Sequence, residues 1–173
     1  MRILVSENKI QRRVGELAAL INRDYAGRRL LVLGILKGSL IFLADLVRRI
    51  RVPLRYEVVV ISSYRDGTEP GAVDFYGELP QAEPDEAILV VEDIIDTGQT
   101  MSKLRRWLDS HYNRSVGLCV MLDKQGRRNN VVELDYVGFT LETNDFLVGY
   151  GLDYAGGMRN LPFIAALEEG ETE

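Results

Sequence analysis

The sequence has a single cysteine, Cys119, so it cannot form a disulfide bond within the chain. Cys119 lies in the apolar run 116–122, a setting that predicts a buried and unreactive thiol. The only histidine, His111, lies near the end of a predicted helix, where its partial charge is favourable, and we interpret it as a surface residue. A disulfide framework is therefore excluded, and neither residue is a candidate catalyst.

Long apolar runs and an excess of positive charge are also missing. No apolar stretch reaches about 18 residues, and no basic residues flank an apolar leader, so we expect a soluble cytoplasmic protein with no membrane contact. The 21 basic residues are outnumbered by 26 acidic ones, a net charge of −5, which makes nucleic acid an unlikely main partner. The 173 residues, 46% hydrophobic, suit one domain at 1–167, followed by an acidic, disordered tail at 168–173.

One stretch in the middle of the chain combines several signals. The apolar run Ile88–Val91 predicts a strand buried on both faces of a parallel sheet. Glu92 and Asp93 follow directly, and adjacent carboxylates there are costly unless a cation or hydrogen-bond donors meet them. Residues 96–100 then form a short loop before helical spacing over 101–108, so that backbone N–H groups and a helix N-terminus point to one place. Acids beside a phosphate cradle predict a sugar-phosphate site.

The rest of the chain alternates between the two periodicities, which predicts an α/β fold. Predicted helices are 6–25, with Ser6 as N-cap, 40–50 and 101–111. Predicted strands are 30–36, 56–61, 73–79, 88–91, 115–122, 136–139 and 146–150. In an open α/β sheet the loops after the strands lie together at the carboxyl ends, where ligands bind. Lys37 and Gly38 lie in such a loop, and their pattern fits either a pyrophosphate-binding loop or an ordinary turn.

The sequence VEDIIDTGQT at 91–100 resembles the phosphoribosyl-pyrophosphate (PRPP) motif of the type I phosphoribosyltransferases, in particular the hypoxanthine-guanine enzymes. The resemblance covers nearly the whole chain, from Leu36 to Pro162. It implies the type I phosphoribosyltransferase fold, a central, mostly parallel sheet flanked by helices with a small hood from the chain ends, to which 161–167 would return. It also implies phosphoribosyl transfer from PRPP to hypoxanthine and/or guanine, which gives IMP or GMP and pyrophosphate. Magnesium as cofactor and a homodimer or homotetramer follow from the same resemblance.

The resemblance assigns roles to the central stretch. Glu92 and Asp93 would bind the ribose hydroxyls, and Asp96 would accept a proton from the purine nitrogen N7. The predicted magnesium ligands are Glu92, Asp93 and, through water, Asp153. The residues that would hold the 5′-phosphate are Thr97, Gly98, Gln99 and Thr100.

Other segments would bind the pyrophosphate and the base. The loop Lys37–Gly38, often preceded by a cis peptide in the family, and Arg159 would contact the pyrophosphate. Lys124 would donate to the 6-oxo group of the purine, where adenine carries an amino group instead, although a lysine here could also be solvated. Phe146 would stack on the purine, with the backbone of Leu147 at the base edge, although Phe146 also suits a core position.

The polar stretch 63–71, with its glycines and proline, predicts a functional loop. The resemblance implies a lid over the reaction centre, in which Ser63 and Tyr64 match a characteristic pair. A hairpin loop remains compatible with the same residues, because 73–79 alternates like a returning strand.

Two departures and two alternatives accompany the resemblance. Gln99 is uncharged where some relatives carry a basic residue, and Gly156-Gly157-Met158 replaces bulkier polar residues. One alternative is an RNA-binding regulator on the same fold, for which Arg12-Arg13, Arg48-Arg49-Arg51 and Arg127-Arg128 offer short basic patches. The other is a phosphoribosyltransferase for xanthine or another base.

Overall fold

The computed structural model describes residues 1–63, 73–76, 79–126 and 128–168. Its elements in chain order are β1 Arg2–Val5, α1 Glu7–Asp24, β2 Arg29–Leu36, α2 Leu40–Val47, β3 Leu54–Ser63, β4 Val73–Tyr76, β5 Glu86–Ile95, α3 Gln99–Tyr112, β6 Gly117–Lys124, β7 Tyr136–Leu141, β8 Leu147–Val148 and β9 Ile164–Ala166.

The larger sheet has six strands in the order β4-β3-β2-β5-β6-β7. Five of them are parallel, and β4 pairs antiparallel with the end of β3. The predicted α/β fold with a mostly parallel central sheet is confirmed, and so is a strand returning from residue 73.

Helices cover both faces of this sheet because its central strands, β2, β5 and β6, are apolar on both sides. Leu89 and Val91 of β5 belong to the core under α1 and α2, and Ile88 and Val90 to the core under α3. These four side chains are at most 2% exposed, and burial of each is worth roughly 1.5–3 kcal/mol. β5 is therefore the strand buried on both faces that the sequence predicted.

The smaller sheet is the hood, defined here as β1, β9 and β8. All its pairings are antiparallel, and it joins the start of the chain to segments near its end. The predicted hood is confirmed. The part of the chain from β8 to β9 also carries the hood loop, residues 149–159, which returns to the carboxyl edge of the larger sheet.

Several predicted boundaries are wrong. β5 does not end at Val91, because its ladder continues through Glu92, which pairs with Val120 of β6. Likewise β6 continues through Lys124, so the polar residues at both strand ends have fixed backbones. Helix α2 ends at Val47, and α3 begins at Gln99. Ser6 lies at the N-cap of α1, but its side chain makes no capping hydrogen bond.

Some predictions lie outside the described residues: Tyr64 and the rest of the predicted lid 63–71 after Ser63, the side chain of Ser63, and most of the predicted tail, 169–173. Cys119 is fully buried, and burial raises the pKa of its thiol. His111 is exposed, as predicted. Within the described ranges, no helix has the length and apolar character needed to cross a bilayer.

Candidate active site

A cavity of about 520 Å³ opens at the carboxyl ends of β2 and β5. It brings together ten of the predicted site residues: Lys37, Gly38, Glu92, Asp93, Asp96, Thr97, Gly98, Thr100, Asp153 and Arg159. These residues come from three segments: the loop after β2, the end of β5 with the loop and the start of α3 that follow, and the loop between β8 and β9. The first two meet because parallel strands place the following loops at one edge of the sheet.

Glu92 and Asp93 form the acidic wall of the cavity. Oε1 of Glu92 accepts a hydrogen bond from the backbone N–H of Asp93 at 2.9 Å, and Oδ1 of Asp93 accepts one from Ile94 at 2.7 Å. Burial, with the charge of Asp93, raises the pKa of Glu92 well above its usual value, and burial also raises the pKa of Asp93. Two carboxyl groups are thus held where full ionisation is unfavourable without a cation or hydroxyl donors.

Gly38 lies against this acidic wall. A Cβ atom at this position would be 1.5 Å from Oδ2 of Asp93. On its other side, a Cβ atom at Gly151 would lie 2.0 Å from the carbonyl oxygen of Gly38. The peptide bond between Leu36 and Lys37, just before Gly38 in the chain, is cis, as the resemblance implied. Only a backbone without a side chain fits between the acid and the hood loop.

The loop 96–98 leads into the N-terminus of α3. Gly98 has φ +79°, and a Cβ atom there would lie 2.7 Å from the carbonyl oxygen of Asn130. The backbone N–H of Gln99 donates weakly to Oγ1 of Thr97 at 3.4 Å. The first turn of α3 carries no acidic residue, so its positive dipole end faces the cavity uncompensated, which suits an anion. Gln99 and Thr100 are exposed in this turn, and Gln99 does not line the cavity.

Arg128 supports the same loop from behind, a role that the sequence analysis missed. Its guanidinium donates to the carbonyl oxygen of Asp96 at 3.1 Å and of Ile95 at 3.2 Å, and it also pairs with the buried Asp123. The carbonyl of Thr97 in turn accepts from the backbone N–H groups of residues 129 and 130. One half of the proposed basic patch at 127–128 therefore faces the protein, and Arg127 lies outside the described residues.

Lys124 is 5% exposed and is not a solvated lysine. Its Nζ lies 3.8 Å from Oδ1 of Asp96. A buried ammonium at the end of β6 and a carboxylate that lines the cavity thus face each other, a pair suited to supply one hydrogen-bond donor and one proton acceptor to the same small molecule.

Asp153 and Arg159 are brought together by the hood loop. Nη2 of Arg159 lies 2.5 Å from Oδ1 of Asp153, and Nη1 donates to the carbonyl of Gly151 at 2.6 Å. Among the residues of the described ranges, no three His, Cys, Asp or Glu side chains form a group that could hold a metal ion. The acids fit a hard cation that arrives with phosphate oxygens and waters, because magnesium typically takes only one or two carboxylates from the protein.

The predicted base-binding residues do not line this cavity. Phe146 is 48% exposed and packs edge-to-face on Tyr154 with ring centroids 5.6 Å apart, so it is not a core residue. Leu147 is buried in β8, and only its backbone can meet a ligand. A second opening, of about 370 Å³, is lined by residues 125–126 and 142–144.

Comparison with known proteins extends these observations. The phosphoribosyl transferase domain family matches residues 3–155. The hypoxanthine-guanine phosphoribosyltransferase of Streptococcus pneumoniae is 40% identical over 97% of this chain and 93% of its own. The bifunctional protein TilS/HprT of Listeria innocua is 41% identical over 96% of this chain, which spans only 26% of that relative. A hypoxanthine phosphoribosyltransferase structure from Staphylococcus aureus superposes with a TM-score of 0.88 and 38% identity, covering 97% of this chain and 91% of that one.

Proposed function

The chain belongs to the phosphoribosyl transferase domain family, and we propose that it is a purine salvage enzyme. It transfers the 5-phosphoribosyl group from PRPP to hypoxanthine or guanine, and it releases IMP or GMP and pyrophosphate. The observation that carries this proposal is the meeting of an acid pair, an acid-free helix N-terminus and a buried lysine at one edge of the sheet.

PRPP binds along the cavity with its two charged ends apart. The 5′-phosphate accepts hydrogen bonds from the backbone and hydroxyl groups of 97–100, where the N-terminus of α3 favours an anion. The ribose lies over Glu92 and Asp93, whose carboxyl groups bind the 2′- and 3′-hydroxyls. The pyrophosphate extends toward the Lys37–Gly38 loop and Arg159, which exchanges its contact with Asp153 for phosphate oxygens.

Magnesium fits this donor set, since Glu92 and Asp93 would offer it carboxylate oxygens and Asp153 would reach it through water, and it would neutralise charge on the leaving pyrophosphate. The protein contributes orientation. Its fixed strand ends and the packed Gly38 hold the ribose and the leaving group in line with the base.

In the transfer step, the purine nitrogen N9 attacks the anomeric carbon of the ribose as the bond to pyrophosphate breaks, with inversion. Asp96 accepts the proton that leaves N7, and such a transfer is worth roughly 10² to 10⁴ in rate. Lys124, 3.8 Å from Asp96, donates to the 6-oxo group of the base. Phe146 stacks on the ring, with the backbone of Leu147 at its edge, and Ser63 and Tyr64 belong to a lid that excludes water.

Lys124 also explains discrimination between bases. Adenine would place an amino group against this buried ammonium, so that two donors face each other and one buried N–H group of Lys124 has no acceptor on the base. We therefore expect 6-oxopurines to be accepted and adenine to be rejected.

The experiment is a panel of hypoxanthine, guanine, xanthine, adenine and uracil, each incubated with PRPP and magnesium, with nucleotide products separated by chromatography. Turnover of hypoxanthine and guanine but not adenine is the expected result. Turnover of adenine or uracil at a similar rate contradicts the role of Lys124. Preferred turnover of xanthine assigns the enzyme to that base instead.

We further propose a cytoplasmic homo-oligomer, a dimer or a tetramer, because the resemblance to the family implies one. Sedimentation equilibrium tests the subunit number: a single species of monomer mass at micromolar concentration contradicts it.

A further inference from the structure

The hood loop, residues 149–159, has an unusual backbone. Among the described residues, four other than glycine have positive φ, and three of these lie in this loop: Tyr150 at 50°, Ala155 at 49° and Met158 at 67°. Such conformations are costly for residues with a side chain and persist only where surrounding contacts hold them. The hood loop also carries Asp153 and Arg159, so its conformation decides where both groups lie.

Tyr150 is held by a carboxylate on α2. Its side chain is buried, and its hydroxyl donates to Oδ2 of Asp45 at 2.8 Å. Asp45 is 8% exposed and also accepts hydrogen bonds from Gln11 at 2.9 Å and from Arg48. Burial alone would raise the pKa of the Asp45 carboxyl, but these hydrogen bonds bring it below its usual value. Tyr150 is therefore tied to an ionised and firmly held acceptor.

The hydrogen bond between Tyr150 and Asp45 lies next to the candidate active site in the chain and in the fold. Gly151, the residue after Tyr150, packs on the carbonyl of Gly38, which lies two residues before the start of α2. The carbonyl of Gly151 also accepts the hydrogen bond from Arg159. Helix α2 thus connects to both sides of the pyrophosphate end of the cavity: its N-terminal loop forms one side, and Asp45 fixes the hood loop that forms the other.

We propose that Tyr150, held by Asp45, is a positioning residue for the pyrophosphate end of the PRPP site. It keeps the hood loop in the conformation that presents Asp153 and Arg159 before PRPP binds. The inference rests on the proposed function, because it concerns the same substrate. A merely structural link between hood and core would contribute stability alone and would leave the affinity for PRPP unchanged.

The chain offers a matched control for this distinction. The hydroxyl of Tyr136, on β7, donates to Oδ2 of Asp24 at 3.0 Å, and its ring is also buried. This pair joins β7 to the end of α1, and neither of its two residues lines the cavity. Tyr150→Phe and Tyr136→Phe thus remove the same chemical group from the same kind of bond, and only one of them supports the hood loop.

We expect Tyr150→Phe to raise KM for PRPP about tenfold, while kcat at saturating PRPP falls less than about threefold. KM and kcat respond differently because the variant's hood loop adopts the binding-competent conformation only part of the time, which weakens the apparent affinity for PRPP. Saturating PRPP restores that conformation, so kcat changes little. Tyr136→Phe should change both constants less than about twofold, with a comparable loss of thermal stability.

Calorimetric titration with PRPP and magnesium separates this inference from the proposed function. If the wild-type protein binds PRPP but turns over no base, the proposed function fails. The dissociation constants of Tyr150→Phe and Tyr136→Phe for PRPP can still be compared in that case, and their ratio tests the role of Tyr150. Equal affinities in Tyr150→Phe and Tyr136→Phe overturn the inference. A double variant with Asp45→Ala adds a second criterion: the effects on PRPP affinity should not add, and additive effects would contradict action through Asp45.

Discussion

The clearest perturbation of the proposed site is a single methyl group at Gly38. A Cβ atom there would lie 1.5 Å from Oδ2 of Asp93 and 2.5 Å from its Cγ. Real Cβ contacts are essentially never below 3.0 Å, so the carboxylate has to move by about 1.5 Å or the loop has to retreat by as much. Either movement displaces a group that we assign to the ribose or the pyrophosphate.

The expected cost follows from this distance. A misplacement of about 1 Å in a catalytic constellation costs on the order of 10²-fold in rate. We therefore expect Gly38→Ala to lower kcat/KM for PRPP by about 100-fold, which corresponds to about 2.7 kcal/mol. Folding should be retained, because Gly38 lies in a loop at the rim of the cavity and not in the core.

Gly15→Ala is the matched control. Gly15 lies within α1, and a Cβ atom there has no atom within 4 Å. The same methyl group should leave the kinetic constants unchanged and raise the free energy of unfolding by about 0.5–1 kcal/mol through helix propensity. Steady-state kinetics with varied PRPP, with urea unfolding of both variants, measures both quantities. A Gly38→Ala enzyme within threefold of the wild type would refute the assignment of this loop.

Three further predictions follow from the same structure. Asp96→Asn should lose roughly 10²- to 10⁴-fold in kcat while it still binds PRPP, and unchanged turnover would remove Asp96 as proton acceptor. Arg128→Lys keeps the charge but not the guanidinium that spans two carbonyls and a carboxylate, so KM for PRPP should rise about tenfold. The exposed Arg106→Lys is the control and should leave KM unchanged, because its guanidinium donates to the carbonyl of Ser102 within the same helix and does not support the loop. A hydrogen bond from Arg55 lowers the pKa of the buried Glu86 from 4.5 to about 2, so its stabilisation is complete above pH 4.5 and is lost as pH falls toward 2. Urea unfolding across this range should show a shallower pH dependence for Glu86→Gln, and identical slopes would contradict the assignment.

The elements that the sequence predicted best are those encoded locally. The apolar run of β5, the acids after it and the helical spacing of α3 are adjacent in the chain. One short stretch of sequence therefore predicts the strand, the loop and the helix. The boundary at Val91 was wrong because the acids look like the end of a strand, whereas backbone pairing with β6 carries the strand on to Ile95.

The missed features depend on contacts between distant segments. Arg128 binds the carbonyl oxygens of residues 95 and 96, and a carbonyl is present at every position, so the sequence carries no mark of its role. The hydrogen bond from Tyr150 to Asp45 joins residues 105 positions apart, across the boundary between hood and core. The burial of Lys124 likewise depends on its place at the end of β6 in the folded sheet. From the sequence alone, a lysine after a strand is also compatible with a solvated position.

The proposed function requires the transfer of a phosphoribosyl group at this cavity. The most direct measurement is the stoichiometry of the reaction with hypoxanthine, PRPP and magnesium, in which nucleotide and pyrophosphate are quantified together over time. We predict one IMP and one pyrophosphate for each hypoxanthine consumed, and no pyrophosphate when the base is omitted. Binding of PRPP without formation of nucleotide, from any base, would contradict the account and favour a regulator built on the same fold.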